Sequence, residues 1–141
     1  MIFRTPVELP SGKLTISHHD RIMVMGSCFS VEIGKRLSES KFMCDANPYG
    51  ELYNPVSILT ALRQIESKKS YTETDLFEDK GWWHSWMHHS DFSSVDKNQT
   101  LNNINSRLRA ASENFPQTDL LIVTWGTNRT YGLADTDPFI P

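Results

Sequence analysis

In "VMGSCFSVEIG", Ser27 and Cys28 place two potential nucleophiles side by side, between an apolar run and what reads as the first turns of a helix. A hydroxyl where a strand turns into a helix meets the positive end of the helix dipole and the free N–H groups of the first turn. That setting suits attack on an acyl carbon and stabilisation of the resulting oxyanion. The bland alternative is a cap, since Ser27 or Ser30 could start the helix. The nucleophile elbow G-x-S-x-G is absent, because Gly26 directly precedes Ser27 and no Gly follows two residues later. Cys28 is the rival nucleophile, as a thiolate gains stability at a helix N-terminus. Its other reading is a small core residue. Adjacent residues after a strand point apart, so only one of the pair should face a pocket.

Other residues could complete such chemistry. Asn128, in "WGTNRTY", could donate a carboxamide N–H to an oxyanion or simply form a turn after Gly126. Gly50, in "NPYGELYNP", could bring a backbone N–H close because it lacks a Cβ, or be an ordinary turn glycine. Three histidines, His84, His88 and His89, lie in "WWHSWMHHS". His84 and His88 have the i, i+4 spacing that would share one helical face and could hold zinc, yet no Glu follows the first as in H-E-x-x-H. Asp91 and Cys44 are not placed by a motif to complete such a site. A polar rim or a general base is the better reading of these histidines, and no metal or cofactor is expected. Trp82, Trp83 and Trp86 read as packing residues, with Trp86 the candidate for a pocket wall against substrate. His18 and His19 read as exposed loop residues.

Bulk properties narrow the class. The 141 residues suit one domain, and 38% hydrophobic content supplies a core. Lys+Arg 14 against Asp+Glu 17 leaves a net charge of -3 and no basic cluster, which disfavours nucleic acid. Two cysteines, Cys28 and Cys44, make no disulfide framework and fit a reducing, cytoplasmic setting. "MIFRTPVELPSG" lacks the apolar stretch of a secretory signal, and "RIMVMG" and "LLIVTW" are too short to span a bilayer. Sequons at Asn98 and Asn128 mean little without a secretory route. A soluble, intracellular protein is expected, with no membrane partner.

The elements that must position these residues follow from periodicity. "KLTIS" reads as a short extended piece, and "RIMVMG" as a strand buried on both faces. Phe29, Ile33 and Leu37 fall at helical spacing, with Gly34 allowing close approach to a sheet. "KFMCDA" fits a second strand before the turn-rich "NPYG". In "YNPVSILTALRQIES", Asn54 is a good N-cap, Pro55 suits the first helical position, and Ile58, Leu62 and Ile65 form one face. A mixed region containing "GWWHSWMHHSDFS" follows. Leu101, Ile104, Leu108, Ala111 and Phe115 form the cleanest helical stripe, and "DLLIVTWGTN" is a second buried strand ending at a glycine corner. This order predicts an α/β fold with a mainly parallel sheet and right-handed crossovers. Ligands in such folds sit at the carboxyl ends of the strands, where both "GSCF" and "GTN" fall.

At these residues the chain resembles the GSCFA family, bacterial proteins named for a Gly-Ser-Cys-Phe-Ala motif that stands here as "GSCFS", with Ser30 in the last place. The resemblance extends to "FRTPV", "NPYGELYNP", "WHSWMHHSDFS" and "IVTWGT". The family is similar to SGNH hydrolases, three-layer α/β/α flavodoxin-like esterases and lipases that use a serine, a glycine, an asparagine and a histidine in successive blocks. The resemblance implies Ser27 as nucleophile, Gly50 as the second-block glycine and Asn128 as the third-block asparagine. Two departures stand out: the Asp that follows Gly in the hydrolases' "GDS" is missing, and so is their final Asp-x-x-His block.

The chain ends at "GLADTDPFIP", just past a strand apolar enough to want neighbours on both sides. The expectation is that residues 1–141 form the N-terminal part of a single family domain, through truncation or with a partner chain, such as a second copy, over the open sheet edge. The leading function is an ester hydrolase acting on a small acyl ester or an acylated carbohydrate. His84, His88 or His89 would then have to serve as its base. The alternatives are a non-catalytic binding module that keeps the fold and a zinc site at His84 and His88.

Overall fold

The computed structural model describes Gly12 and residues 14–130. Its centre is strand β1 (Arg21–Gly26), whose unbroken apolar run has a simple cause: both faces are covered. Met23 and Met25 enter a core with residues of the helices α2 (Pro55–Glu66) and α3 (Lys97–Asn114). On the opposite face Ile22 and Val24 stand in register with Cys44 and Ala46 of β2 (Met43–Ala46). Helix α1 (Cys28–Glu39) lies over that face.

Strand β5 (Leu120–Thr124) pairs with β1 on its other side, giving the all-parallel order β2-β1-β5. Helix α1 connects β1 to β2, and the α2–α3 segment connects β2 to β5. This is the expected α/β/α layering, three parallel strands between helices, consistent with an incomplete flavodoxin-like fold among the described residues. Among the described residues β5 has a single neighbour, β1, and Leu121 on it is exposed. None of the described helices is long and apolar enough to cross a membrane. The segments "FRTPV" and "GLADTDPFIP" lie outside the described residues.

Two helices start as their sequences dictate. Asn54 accepts a hydrogen bond from the Ser57 N–H at 2.9 Å, and Pro55 opens α2. Asp96 caps α3 by accepting from the Gln99 N–H at 3.0 Å. Ile58 and Ile65 of α2 and Ile104, Leu108 and Ala111 of α3 form the buried faces expected from their spacing.

Helix α1 departs from its periodicity. Phe29 is 61% exposed and Ile33 and Leu37 are half-buried, while the helix buries Ser30 and Gly34 instead. Small residues at i, i+4 let the backbone sit directly on the sheet. A Cβ on Gly34 would lie 2.5 Å from the Ala46 Cβ. Gly34→Val is therefore expected to cost about 1–3 kcal/mol by overpacking, read as a lower urea midpoint.

Two further differences concern local chemistry. Leu14–Ser17, the described part of "KLTIS", belong to no strand and add nothing to the sheet. The mixed region contains a hairpin, β3 (Phe77–Asp79) and β4 (Trp82–His84), closed by Lys80 and Gly81 at φ 51 and 82. Two left-handed central residues make the tight turn whose twist matches antiparallel strands.

Candidate active site

Strand β1 delivers Ser27 to the carboxyl end of the sheet. Ser27 is the N-cap of α1 by position, yet its side chain makes no capping hydrogen bond. Its residue exposure is only 7%, and its Oγ lies 3.3 Å from the Thr124 Oγ1 at the end of β5. The capping reading of this hydroxyl therefore fails. Thr124 Oγ1 also meets Ser30 Oγ at 2.5 Å, so three hydroxyls form a chain beneath the N-terminus of α1. Cys28, one residue on, is exposed, which overturns its reading as a core residue and leaves Ser27 as the inward member of the pair.

The "NPYGELYNP" segment clamps this corner. The Gly26 N–H donates to Asn47 Oδ1 at 2.9 Å, and the Leu52 N–H donates to the Gly26 carbonyl at 2.8 Å. The Tyr53 carbonyl then accepts from Gly126 and Thr127 at 2.9 and 3.1 Å, tying the turn after β5 to the same loop. A Cβ on Gly126 would stand 3.9 Å from the Ser27 Cβ. Residues from after β1, β2 and β5 thus converge where a parallel sheet places its ligands. The Tyr53 hydroxyl donates to the Glu51 carboxylate, which raises the phenol's pKa.

The three histidines separate. The segment is strand, turn and a short 3-10 turn rather than a helix, so His84 and His88 do not share the helical face a zinc pair needs. Among the described residues no three His, Cys, Asp or Glu side chains gather as a metal site. His84 Nδ1 bonds Ser93 Oγ at 2.8 Å, on the hairpin. His88 is enclosed, stacked on Tyr49 at 4.5 Å with Tyr71 and Phe92 edge-on, and its Nδ1 meets Ser85 Oγ at 3.0 Å. His89 packs its Cβ on Gly50, while its Nδ1 lies 3.2 Å from Asp91 Oδ1.

Burial, with a smaller contribution from the Lys69 charge, pushes the His88 pKa from its ordinary 6.5 down to about 3. The ring stays neutral in the fold while the unfolded chain takes up a proton below about pH 6.5. Its contribution is complete above that pH and is lost as pH falls from 6.5 toward 3. Stability should fall by up to about 1.4 kcal/mol per pH unit in that window. Between about pH 7 and pH 5 wild type should lose roughly 2 kcal/mol more than His88→Phe, measured by urea unfolding at each pH.

Gly50 sits at φ +79, and a Cβ there would lie 2.3 Å from the His89 Cβ. Its N–H donates to the Asn47 carbonyl at 2.9 Å, so the turn engages the amide that sequence reasoning offered to an oxyanion. What Gly50 contributes is room for His89. Asn128 is exposed, two residues past the tethered Gly126. Trp86 is 67% exposed and stacks on Phe77 at 3.9 Å; with His84, Glu78 and Asp79 they line a shallow groove of about 520 Å³. No residue of that groove belongs to the Ser27 corner. Another concavity, about 330 Å³ between Arg21, Met43, Asp45 and Asn114, lies at the amino end of β1, away from the ligand end of the sheet. Burial, then the neighbouring Asp45, raises the Cys44 thiol pKa there, which makes it a poor nucleophile.

Sequence reasoning missed Thr124 and Asn47. A β-branched hydroxyl ending an apolar strand, and an Asn directly after β2, were the only local signals. Asn47 holds φ 45, and its Nδ2 is buried without a partner among the described residues. No curated protein and no solved structure matches the chain. The GSCFA family model matches residues 21–140, a span holding the Gly26-Ser27 corner, the clamp loop, the histidine segment and the end of β5. With most of its length matched, this chain belongs to the GSCFA family.

Proposed function

We propose that this chain is an acyl hydrolase domain of serine-esterase type, with Ser27 as nucleophile. The observation that carries the reading is a buried hydroxyl at the N-terminus of a twelve-residue helix that leaves its capping duty undone. Ser27 Oγ attacks the acyl carbon and passes its proton to a base, and the leaving alkoxide takes that proton away as alcohol. Water then hydrolyses the acyl-enzyme by the reverse proton path. The oxyanion is received by the Ser27 N–H at the helix start, with the Asn128 carboxamide as second donor.

His89 is the base we favour among the three histidines. It packs on the clamp loop at Gly50, and its Nδ1, which caps the following turn by facing the Asp91 N–H at 3.4 Å, lies 3.2 Å from the exposed Asp91 carboxylate. His88 is enclosed and weakly basic, and His84 is held to the hairpin. The substrate class is a small ester or an acylated carbohydrate. Two free cysteines fit a cytoplasmic setting, and a second copy over the edge of β5 that has no neighbour among the described residues is the partner we favour.

A second reading, a binding module without turnover, draws on the fact that the Ser27 hydroxyl bonds Thr124 and no histidine among the described residues. Side-by-side assay of wild type and Ser27→Ala on a short-chain p-nitrophenyl ester separates the two. Turnover that the substitution abolishes supports the hydrolase. Equal background rates from two proteins with native circular dichroism support the binding module. His89→Gln should lower kcat by about 100-fold or more if His89 is the base, and an unchanged kcat would exclude it.

A further inference from the structure

We propose that Ser30 and Thr124 are positioning residues that set the direction of the Ser27 hydroxyl, a proposal resting on Ser27 being the nucleophile. Ser30 is fully buried, and its Oγ has one partner among the described residues, the Thr124 Oγ1 at 2.5 Å. Thr124 in turn reaches Ser27 Oγ at 3.3 Å. Each hydroxyl has one proton to donate and two lone pairs to accept with, so two contacts among three hydroxyls leave one proton without a partner, on Ser30, Thr124 or Ser27.

If Ser27 donated to Thr124 and Thr124 to Ser30, the Ser30 proton would be a buried donor with no acceptor, an expensive defect. Run the other way, Ser30 donates to Thr124 and Thr124 to Ser27, which moves the unpartnered proton from the fully buried Ser30 to Ser27 at the carboxyl end of the sheet. Ser30 therefore fixes the polarity of the chain from the buried end. The consequence falls on the reacting atom. Ser27 Oγ accepts from Thr124, and its own proton is left to point away from Thr124, toward the mouth of the site where a base must collect it. The contact at 3.3 Å is long for a hydroxyl pair, so Ser27 is aimed without being locked.

Gly26 belongs to the same device. A Cβ there would meet Thr124 Oγ1 at 2.6 Å, so only glycine before Ser27 lets the Thr124 hydroxyl occupy its place. The family motif carries alanine where this chain has Ser30. The hydroxyl chain would then be a feature of this protein that a chain bearing alanine cannot form. With alanine, Ser27 could donate to Thr124 and turn its proton inward.

The test is ester turnover by wild type, Ser27→Ala, Ser30→Ala, Thr124→Val and Thr124→Ser, with melting temperatures for each. The proposal expects Ser30→Ala and Thr124→Val to lower kcat about tenfold or more at unchanged KM, with folded protein retained. Thr124→Ser, which keeps the hydroxyl, should stay near wild type. Ser27-dependent turnover with wild-type kcat in Ser30→Ala would overturn the positioning role alone. So would a loss that Thr124→Ser shares with Thr124→Val, since the methyl group rather than the hydroxyl would then matter. Absence of any Ser27-dependent turnover in wild type would overturn both this proposal and the esterase reading.

Discussion

Ser27→Ala is expected to lower kcat/KM on a short-chain p-nitrophenyl ester by about 1,000-fold or more, because no other group can form the acyl-enzyme once the nucleophile is gone. The fold should survive. The hydroxyl does not cap α1, and its one side-chain partner among the described residues is the long contact to Thr124, so its loss forfeits little stability. Cys28 supplies the internal control. It is exposed at the start of α1, and Cys28→Ala should leave turnover within a few-fold of wild type, about the effect of a small surface substitution. The opposite pattern, with Cys28→Ala inactive and Ser27→Ala active, would move the chemistry to the thiol.

Gly26→Ala should have the largest effect on stability. Gly26 stands at φ +142, where a side chain is strained whatever the space, and space is lacking too. The added Cβ would fall 1.9 Å from the Thr124 carbonyl oxygen and 2.8 Å from its carbon. Those atoms are backbone of the neighbouring strand and cannot swing aside. Relief requires β5 to separate from β1 just where their ladder ends at the Gly26–Thr124 pair. A loss of at least about 4 kcal/mol is expected, a large share of the stability of a small domain. Soluble yield and urea unfolding followed by circular dichroism would measure it. A Gly26→Ala protein with wild-type midpoint would show that β5 does not approach β1 as described.

Much of the architecture could be read from the sequence because the signals were local. Asn54-Pro55 starts α2, continuous apolarity marks β1, and a period near four marks α3. Phe29 misled because periodicity registers apolar residues, whereas α1 meets the sheet through Ser30 and Gly34, small residues chosen for distance. The hairpin at Lys80-Gly81 was obscured because its strands span three residues each, too few for an alternation to stand out. At the site, Ser27 was legible from its place between strand and helix. Thr124 was not, because it joins Ser27 from 97 positions away through the β1–β5 register. The histidines carried a helical spacing that the chain never realises, since Tyr49 and Gly50 of the clamp loop decide where His88 and His89 lie.

The most direct test of the nucleophile is covalent capture. The protein would be incubated with diisopropyl fluorophosphate, in which Ser27 Oγ would bond phosphorus as fluoride leaves, and the adduct located by peptide mass spectrometry. The prediction is one adduct per chain, on Ser27, and none on Ser27→Ala. An adduct on another residue, or folded wild-type protein that takes none, would contradict the assignment of Ser27 as the reacting group.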